Sequence, residues 1–302
     1  MTITLGVPAL SGISGGLLLV VLFGALLHAS WNALLKSGTD KPLDTALMQG
    51  LGSLMAIPLV MWTGLPEPQA WPWILLSTTI HIAYYQALAG AYRHGDLSLT
   101  YPLMRGSAPL LVALASPLLL GDSLSLLAWC GVGLVSLGVL VLGLARSQAT
   151  DTAPGHETRR RKAVRFALLN ACIIACYTVV DGLGVRASGN APAYVAGLFL
   201  IDGLPYLALV LWQRRADWPA VAAHCRRRWP LASLGMIASL GSYGIALWAM
   251  TRAPVALVAA LRESSVLFAA LISTVVLREH FGWQKALGTG VIVAGIVAIR
   301  LH

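Results

Sequence analysis

Two arginines stand inside stretches that are otherwise apolar, Arg105 within residues 97–120 and Arg262 within residues 254–277. A guanidinium stays charged at any physiological pH and presents a planar fork of donors. In an apolar setting its chemistry is to grip a carboxylate, either a solute's or that of a gate in the protein itself. The structural alternative is a pair with Glu263, Asp181 or a backbone carbonyl, or a side chain that snorkels to an interface. Tyr101 and Ser265, on the same two stretches, join the candidate solute contacts.

Asp202 falls close to the centre of the apolar stretch 192–213, and Asp181 near the end of 163–186. A carboxylate so placed can take up and release a proton, which would couple it to a proton gradient. Glu263, His28 and His81 have the same capacity. For each of them a hydrogen bond to a neighbouring helix is the structural alternative.

Around these charges the sequence repeats polar and aromatic residues at helical spacing. His81, Tyr84, Tyr85, Leu88 and Tyr92 follow i, i+3, i+4, i+7 and i+11. His28, Trp31 and Asn32 share a face in the first apolar stretch, as do Asn170, Ile174, Tyr177 and Asp181 further on. Ser239, Ser242, Tyr243 and Ala246 make a fourth such face. Four semi-polar faces are most easily satisfied around one cavity. Aromatic walls with a few polar tips suit a zwitterionic solute with an apolar body. Interhelical hydrogen bonding, and interfacial anchoring for Tyr92, Trp71 and Trp73, are the competing use.

The remaining chemistry is thin. There is no GxxxxGK[ST] for ATP hydrolysis, no HExxH, no GxSxG and no cluster of aspartates, which leaves an intramembrane enzyme without a catalytic constellation. Cys172 and Cys176 share a helix face, but no CxxC spacing and no nearby His or carboxylate supports a metal site, so packing is favoured. No metal and no cofactor is expected.

The elements that carry these residues follow from composition. Of 302 residues 57% are hydrophobic and only 11% charged, with a mean hydropathy of +0.75. A soluble domain carries about 25% charged residues, so a soluble globule is excluded. Apolar runs of about 20 residues cross ~30 Å of hydrocarbon as helices. Ten are predicted, at 16–36, 43–64, 71–92, 97–120, 124–146, 163–186, 192–213, 230–251, 254–277 and 283–301. They are apolar on every face, which excludes a β-barrel. Residues 1–15 hold no Lys or Arg, so the first run is expected to be a retained helix and not a signal peptide. The one long polar stretch, 147–162, divides the chain into halves at 1–146 and 163–302.

The halves repeat. A shift of 157 residues brings Arg105 onto Arg262, Ser107 onto Ser264, and Gly131, Gly133 and Gly138 onto Gly288, Gly290 and Gly295. With five spans per half, the second half enters the membrane in the opposite sense, the inverted arrangement usual in secondary transporters. Glycines seven residues apart line one face in the fifth and tenth spans, which are expected to pack at the back of the halves. Pro102 and Pro109 are candidate bends in the fourth span, with no counterpart in the ninth. The net charge of +9 does not indicate nucleic acid, because the Lys and Arg lie between runs. Sixteen of 21 fall on one side, three on the other, and the last two are Arg105 and Arg262. The positive-inside rule then puts the 147–162 linker in the cytoplasm and both termini outside.

The stretches HASWNALLKSG (28–38), YTVVDGLGVR (177–186) and APVALVAALRESSVLFAAL (253–271) resemble the drug/metabolite transporter superfamily, EamA type. The likeness spans essentially the whole chain. Within that group it looks like the bacterial exporters of amino acids and related metabolites, aromatic amino-acid exporters included. The resemblance implies an all-α multi-pass protein of the inner membrane that moves a small solute by alternating access. A multidrug or cation exporter of the same fold is the alternative. The resemblance also implies cytoplasmic termini, opposite to the charge count. The candidate solute contacts are Trp31, Asn32, His81, Tyr84, Tyr85, Tyr101, Arg105, Tyr177, Ser242, Tyr243, Arg262 and Ser265. Candidate proton carriers are Asp181, Asp202, Glu263 and His28. With both halves in one chain a monomer is expected, its partners being the lipid bilayer and an amino-acid-like solute.

Overall fold

The computed structural model describes residues 13–36, 38, 40–94, 97–144, 156–276 and 282–302, and these residues contain helices and no strand. In chain order they are α1 (Gly15–Lys36), α2 (Lys41–Thr63), α3 (Trp71–His94), α4 (Leu97–Leu119), α5 (Leu126–Leu144), α6 (His156–Ala187), α7 (Ala191–Gln213), α8 (Trp218–Met250), α9 (Val255–Arg262), α10 (Ser265–Val276) and α11 (Trp283–Leu301). Nine spans among the described residues are long and apolar enough to cross a membrane, with α9 and most of α10 forming one of them. The tenth, α3, has the length but falls short in hydropathy because it carries His81, Tyr84, Tyr85, Gln86, Arg93 and His94. Its polarity is tolerable because α6 and α7 cover it.

Local sequence starts the helices. Asp40 and Asn190 are equivalent N-caps of α2 and α7, accepting from Leu43 N at 3.2 Å and Ala193 N at 3.1 Å. Each is followed by proline in the first turn, where no intrahelical N–H bond is lost. The same device starts α8 at Trp218, where Asp217 accepts from Ala220 N at 3.2 Å and Pro219 follows. The span expected from 230 therefore begins twelve residues earlier, and Arg226, Arg227 and Arg228 are helical rather than loop. Likewise α6 begins inside the polar stretch, at His156. Residues 147–155 lie outside the described residues.

Packing shows the inversion. α5 lies on α11 and α2 on α7, each helix against its own repeat partner. The contact of α3 with α6 is matched by that of α1 with α8, its image in the other half. A Cβ on Gly131 would meet Ile299 Cγ1 at 2.6 Å and Gly295 O at 3.0 Å, and one on Gly138 would meet Ile292 Cγ1 at 2.5 Å and Gly288 O at 2.9 Å. As the number rises along α5 it falls along α11, so the two run antiparallel. Glycine is required there because the backbones touch.

Charges tie the two ends. At the basic end Asp44 is buried and meets His224 Nε2 at 2.9 Å and Arg228 Nε at 3.1 Å, joining α2 to α8. The more exposed Asp40–Arg214 pair, at 2.9 Å, adds little. At the opposite end Asp122 accepts both Nη atoms of Arg186 at 2.9 and 3.2 Å and the N–H of Val255 at 2.9 Å. Arg186 also donates to the carbonyls of Met250 and Ala253. One arginine thus gathers the α4–α5 turn, the end of α6 and the α8–α9 turn.

The prolines expected to bend the fourth span do not break it. α4 runs unbroken through Pro102, Pro109 and Pro117, and the Pro102 ring fills the space over Gly143 of α5. The interruption falls instead at Glu263–Ser264, in the repeat partner that has no proline. There Glu263 N bonds Ala260 O at 3.0 Å and Ser264 N bonds Leu261 O at 3.1 Å, a locally tightened turn.

Replacing Gly138 with valine is expected to cost about 1–3 kcal/mol through overpacking. Gly133→Ala, where nothing lies within 4 Å, should be neutral. Melting temperatures of the two purified variants in detergent check this, and equal values would show that α5 and α11 do not depend on the glycine face.

Candidate functional site

The candidate side chains collect in three connected groups. The first surrounds Arg105 on α4. Its Nε lies 3.0 Å from Glu263 Oε2 as a charge contact rather than an aligned hydrogen bond, and its Nη2 lies 3.0 Å from His28 Nε2 on α1. His28 Nδ1 faces the indole N–H of Trp31 at 3.3 Å. Both neighbours of this imidazole are donors, and a ring that keeps one N–H can accept only once, so one contact gives way in either tautomer. Asn32 donates to the His28 carbonyl at 2.8 Å, so its amide N–H serves its own helix.

The second group surrounds Asp181, which is fully buried on α6. It accepts from Tyr194 Oη of α7 at 2.9 Å and from Tyr243 Oη of α8 through a very short contact. Gly184, one turn further along α6, makes room for the Tyr194 ring, since a Cβ there would run into its hydroxyl. The guanidinium of Arg262 lies over the Tyr243 ring, 5.1 Å from its centroid. Phe199 meets the same ring edge-on at 6.1 Å.

The third group joins α3 to α7. His81 Nδ1 lies 2.8 Å from Asp202 Oδ1, with side chains 13% and 15% exposed. Tyr85 accepts from Gln49 Nε2 at 2.7 Å and stacks on Tyr206 at 4.5 Å between centroids. Tyr177 links the groups. Its ring is 4.5 Å from His81 and 6.0 Å from Tyr84, and it shares an apolar cluster with Met104, Tyr101 and Tyr243.

Faces called from the sequence on α1, α3, α6 and α8 are thus brought together, with Arg105, Arg262 and Glu263 beside them. Ser242 is buried where α8 crosses Gly24 of α1, and Ser265 is buried with no hydrogen-bond partner for its hydroxyl among the described residues. Asn170 is turned away from the aromatic rings toward Met104 Sδ, at 2.9 Å. The side chain of Tyr92 lies outside the described residues. Sequence reasoning missed Gln49, Tyr194, Phe199 and Tyr206. The signal existed on α7, where Tyr194, Asp202 and Tyr206 fall at multiples of four. A separate cleft of about 400 Å³ near Val20, Leu59, Val195 and Trp248 is lined by apolar groups and touches none of this chemistry. Among the described residues no group of His, Cys, Asp and Glu could hold a metal ion.

A sequence model of the EamA-like transporter family matches residues 14–144 and again residues 161–301. The chain belongs to the EamA-like transporter family. The double match falls on the two five-helix halves, and it makes this member of the family a multi-pass membrane transporter of small molecules, not an enzyme. A solved structure described only as the crystal structure of a protein superimposes with a TM-score of 0.71, covering 95% of this chain and 96% of that one at 22% identity. That likeness shows the fold. No curated protein matches this EamA-like chain.

The Arg105–Glu263 pair should behave as a buried ion pair. Glu263→Gln leaves an unmatched guanidinium and should cost about 3–5 kcal/mol, whereas Arg105→Gln with Glu263→Gln should recover much of that loss. Denaturation of the single and double variants in detergent measures it. Additive losses would show that the two side chains do not act as a pair.

Proposed function

We propose that this chain exports amino acids with bulky apolar or aromatic side chains, or closely related metabolites, across the bacterial cytoplasmic membrane by alternating access. The reading is carried by Tyr177, whose ring meets both His81 and Tyr84 and packs in one cluster with Tyr101 and Tyr243. These rings come from four helices, α3 and α4 of the first half and α6 and α8 of the second, so a solute lying among them touches both. Apolar ring faces recover about 0.8 kcal/mol for each methylene they bury, while phenol and imidazole tips remain for the solute's amino and carboxylate groups.

The halves proposed to move are 1–146 and 163–302, joined through 147–162. The interruption at Glu263–Ser264 supports bending within the ninth span, beside the centre. Of the four candidate proton carriers, Asp202 is the best placed. Its side chain is partly exposed and faces a titratable partner, His81, across the α3–α7 contact. Asp181 is held by two tyrosines, Glu263 by Arg105, and His28 by two donors. One chain supplies both halves, which supports a monomer.

Purified protein in liposomes should transport labelled phenylalanine faster than glycine or glutamate, and His81→Ala or Tyr84→Ala should slow phenylalanine at unchanged protein level. Equal rates for the three solutes, or unaltered rates in both variants, would overturn the reading.

Orientation is tested separately. The charge bias supports a cytoplasmic linker, so a cysteine placed at residue 150 should be shielded from a membrane-impermeant thiol reagent in intact cells. Labelling there would place the termini in the cytoplasm.

A further inference from the structure

Two buried guanidiniums face one glutamate at the centre of this molecule, and they are not used alike. Arg105 has Glu263 and His28 within 3.0 Å. Arg262 has the face of the Tyr243 ring at 5.1 Å, and its Nε has no hydrogen-bond partner among the described residues. A ring face attracts the cation but cannot accept the array of N–H bonds that a guanidinium offers. Three residues further on, Ser265 presents a buried hydroxyl that is also without a partner. Residues 262 and 265 flank the tightened turn at Glu263–Ser264, where a spacing of three sets side chains over one another on one face. The Arg262 Nε and the Ser265 hydroxyl, set on one face by this spacing, both lack an acceptor among the described residues. A charged acceptor fits best, because Glu263 is already in close contact with Arg105 and a buried cation short of counter-charge is destabilising.

We infer that Arg262 and Ser265 form the seat for the carboxylate of the transported solute, while the repeat-equivalent Arg105 serves the protein's own Glu263. This deepens the exporter reading and rests on it for the solute's body, since the Tyr243 ring beneath Arg262 belongs to the same cluster as Tyr177. The fork of Arg262 meets the two carboxylate oxygens, and the Ser265 hydroxyl donates to one of them. A solute that keeps the aromatic body but lacks the carboxylate leaves both donors orphaned, and the seat rejects it. The class of solute is therefore a monocarboxylate with a bulky apolar body, and an amine of the same shape is excluded. Asp202, paired with His81, is the acidic group left for an ammonium, but the seat itself does not need one.

The test uses three solutes of one shape, namely phenylalanine, 3-phenylpropionate, which lacks the amino group, and phenethylamine, which lacks the carboxylate. In liposomes holding the full chain, 3-phenylpropionate should compete with labelled phenylalanine, and phenethylamine should compete at least tenfold more weakly. Arg262→Gln should raise the KM for phenylalanine about ten- to a hundredfold, the effect of losing a hydrogen bond to a charged group, and should erase the difference between the two competitors. Arg262→Lys should retain part of it, and Ser265→Ala should lose less than Arg262→Gln. Phenethylamine competing as well as 3-phenylpropionate with the unmodified protein would overturn the proposal, as would a difference that survives Arg262→Gln. Should Arg262→Gln fail to fold, Arg262→Lys and Ser265→Ala decide, and unchanged KM values in both overturn it. If the unmodified protein moves no phenylalanine, the exporter reading falls alone. The seat is then judged by melting temperature, which 3-phenylpropionate must raise and phenethylamine must not.

Discussion

A charge inside a hydrocarbon layer has to find its partner within the protein, and the Arg105–Glu263 contact is where this chain meets that constraint most sharply. The contact joins α4 of the first half to the end of α9 in the second, with His28 of α1 alongside. Three helices that share no local sequence are fixed by one guanidinium. The same rule governs the two ends. Asp122 and Arg186 gather two turns and the end of α6 at one end, and Asp44 with His224 and Arg228 ties α2 to α8 at the other. Between these clamps the apolar faces alone would let helices slide, because lipid is as apolar as leucine.

Inversion gives the fold its symmetry, and function depends on where symmetry fails. α5 and α11 meet through matched glycines, and the contact of α3 with α6 has its image in α1 with α8. Under the shift of 157 residues Arg105 corresponds to Arg262, yet Glu263 corresponds to Gly106. One carboxylate is therefore shared by two equivalent arginines, and only one of them has it as a close partner. The helical interruption lies at that same glutamate, not at the prolines of α4. Charge asymmetry and backbone asymmetry coincide, so a weak point in the ninth span lies against the polar centre.

The aromatic rings have a related logic. His81, Tyr84 and Tyr85 of α3 and Tyr206 of α7 form one stripe, and the Gln49 amide closes the group from α2. A helix with this stripe is poor at facing lipid. Covered by α6 and α7, it is stabilised where polar tips meet others on neighbouring helices, as His81 meets Asp202 and Tyr85 meets Gln49. Tyr177 then joins this wall to the arginines.

Sequence alone determined what is local or periodic. Run length gave the spans, though not the break that splits the ninth into α9 and α10, and loop charge gave the bias between the two sides. The matching Arg and Gly gave the repeat, the odd number of spans in each half gave its inversion, and a spacing of three and four gave the semi-polar faces. These follow from helix rise and from the transfer cost of each side chain, neither of which needs a partner. Helix starts at Trp218 and His156 escaped because a hydrophobic run marks the lipid-facing part of a helix and not its polar extension. Tertiary structure decided which buried group answers which. Nothing in the order of residues shows that Asp181 meets two tyrosines, that Glu263 goes to Arg105 rather than its neighbour Arg262, or that Pro102 leaves α4 unbroken over Gly143. A hydrogen bond or ion pair forms within about 3 Å, and that distance is set only once helices far apart in the chain have packed.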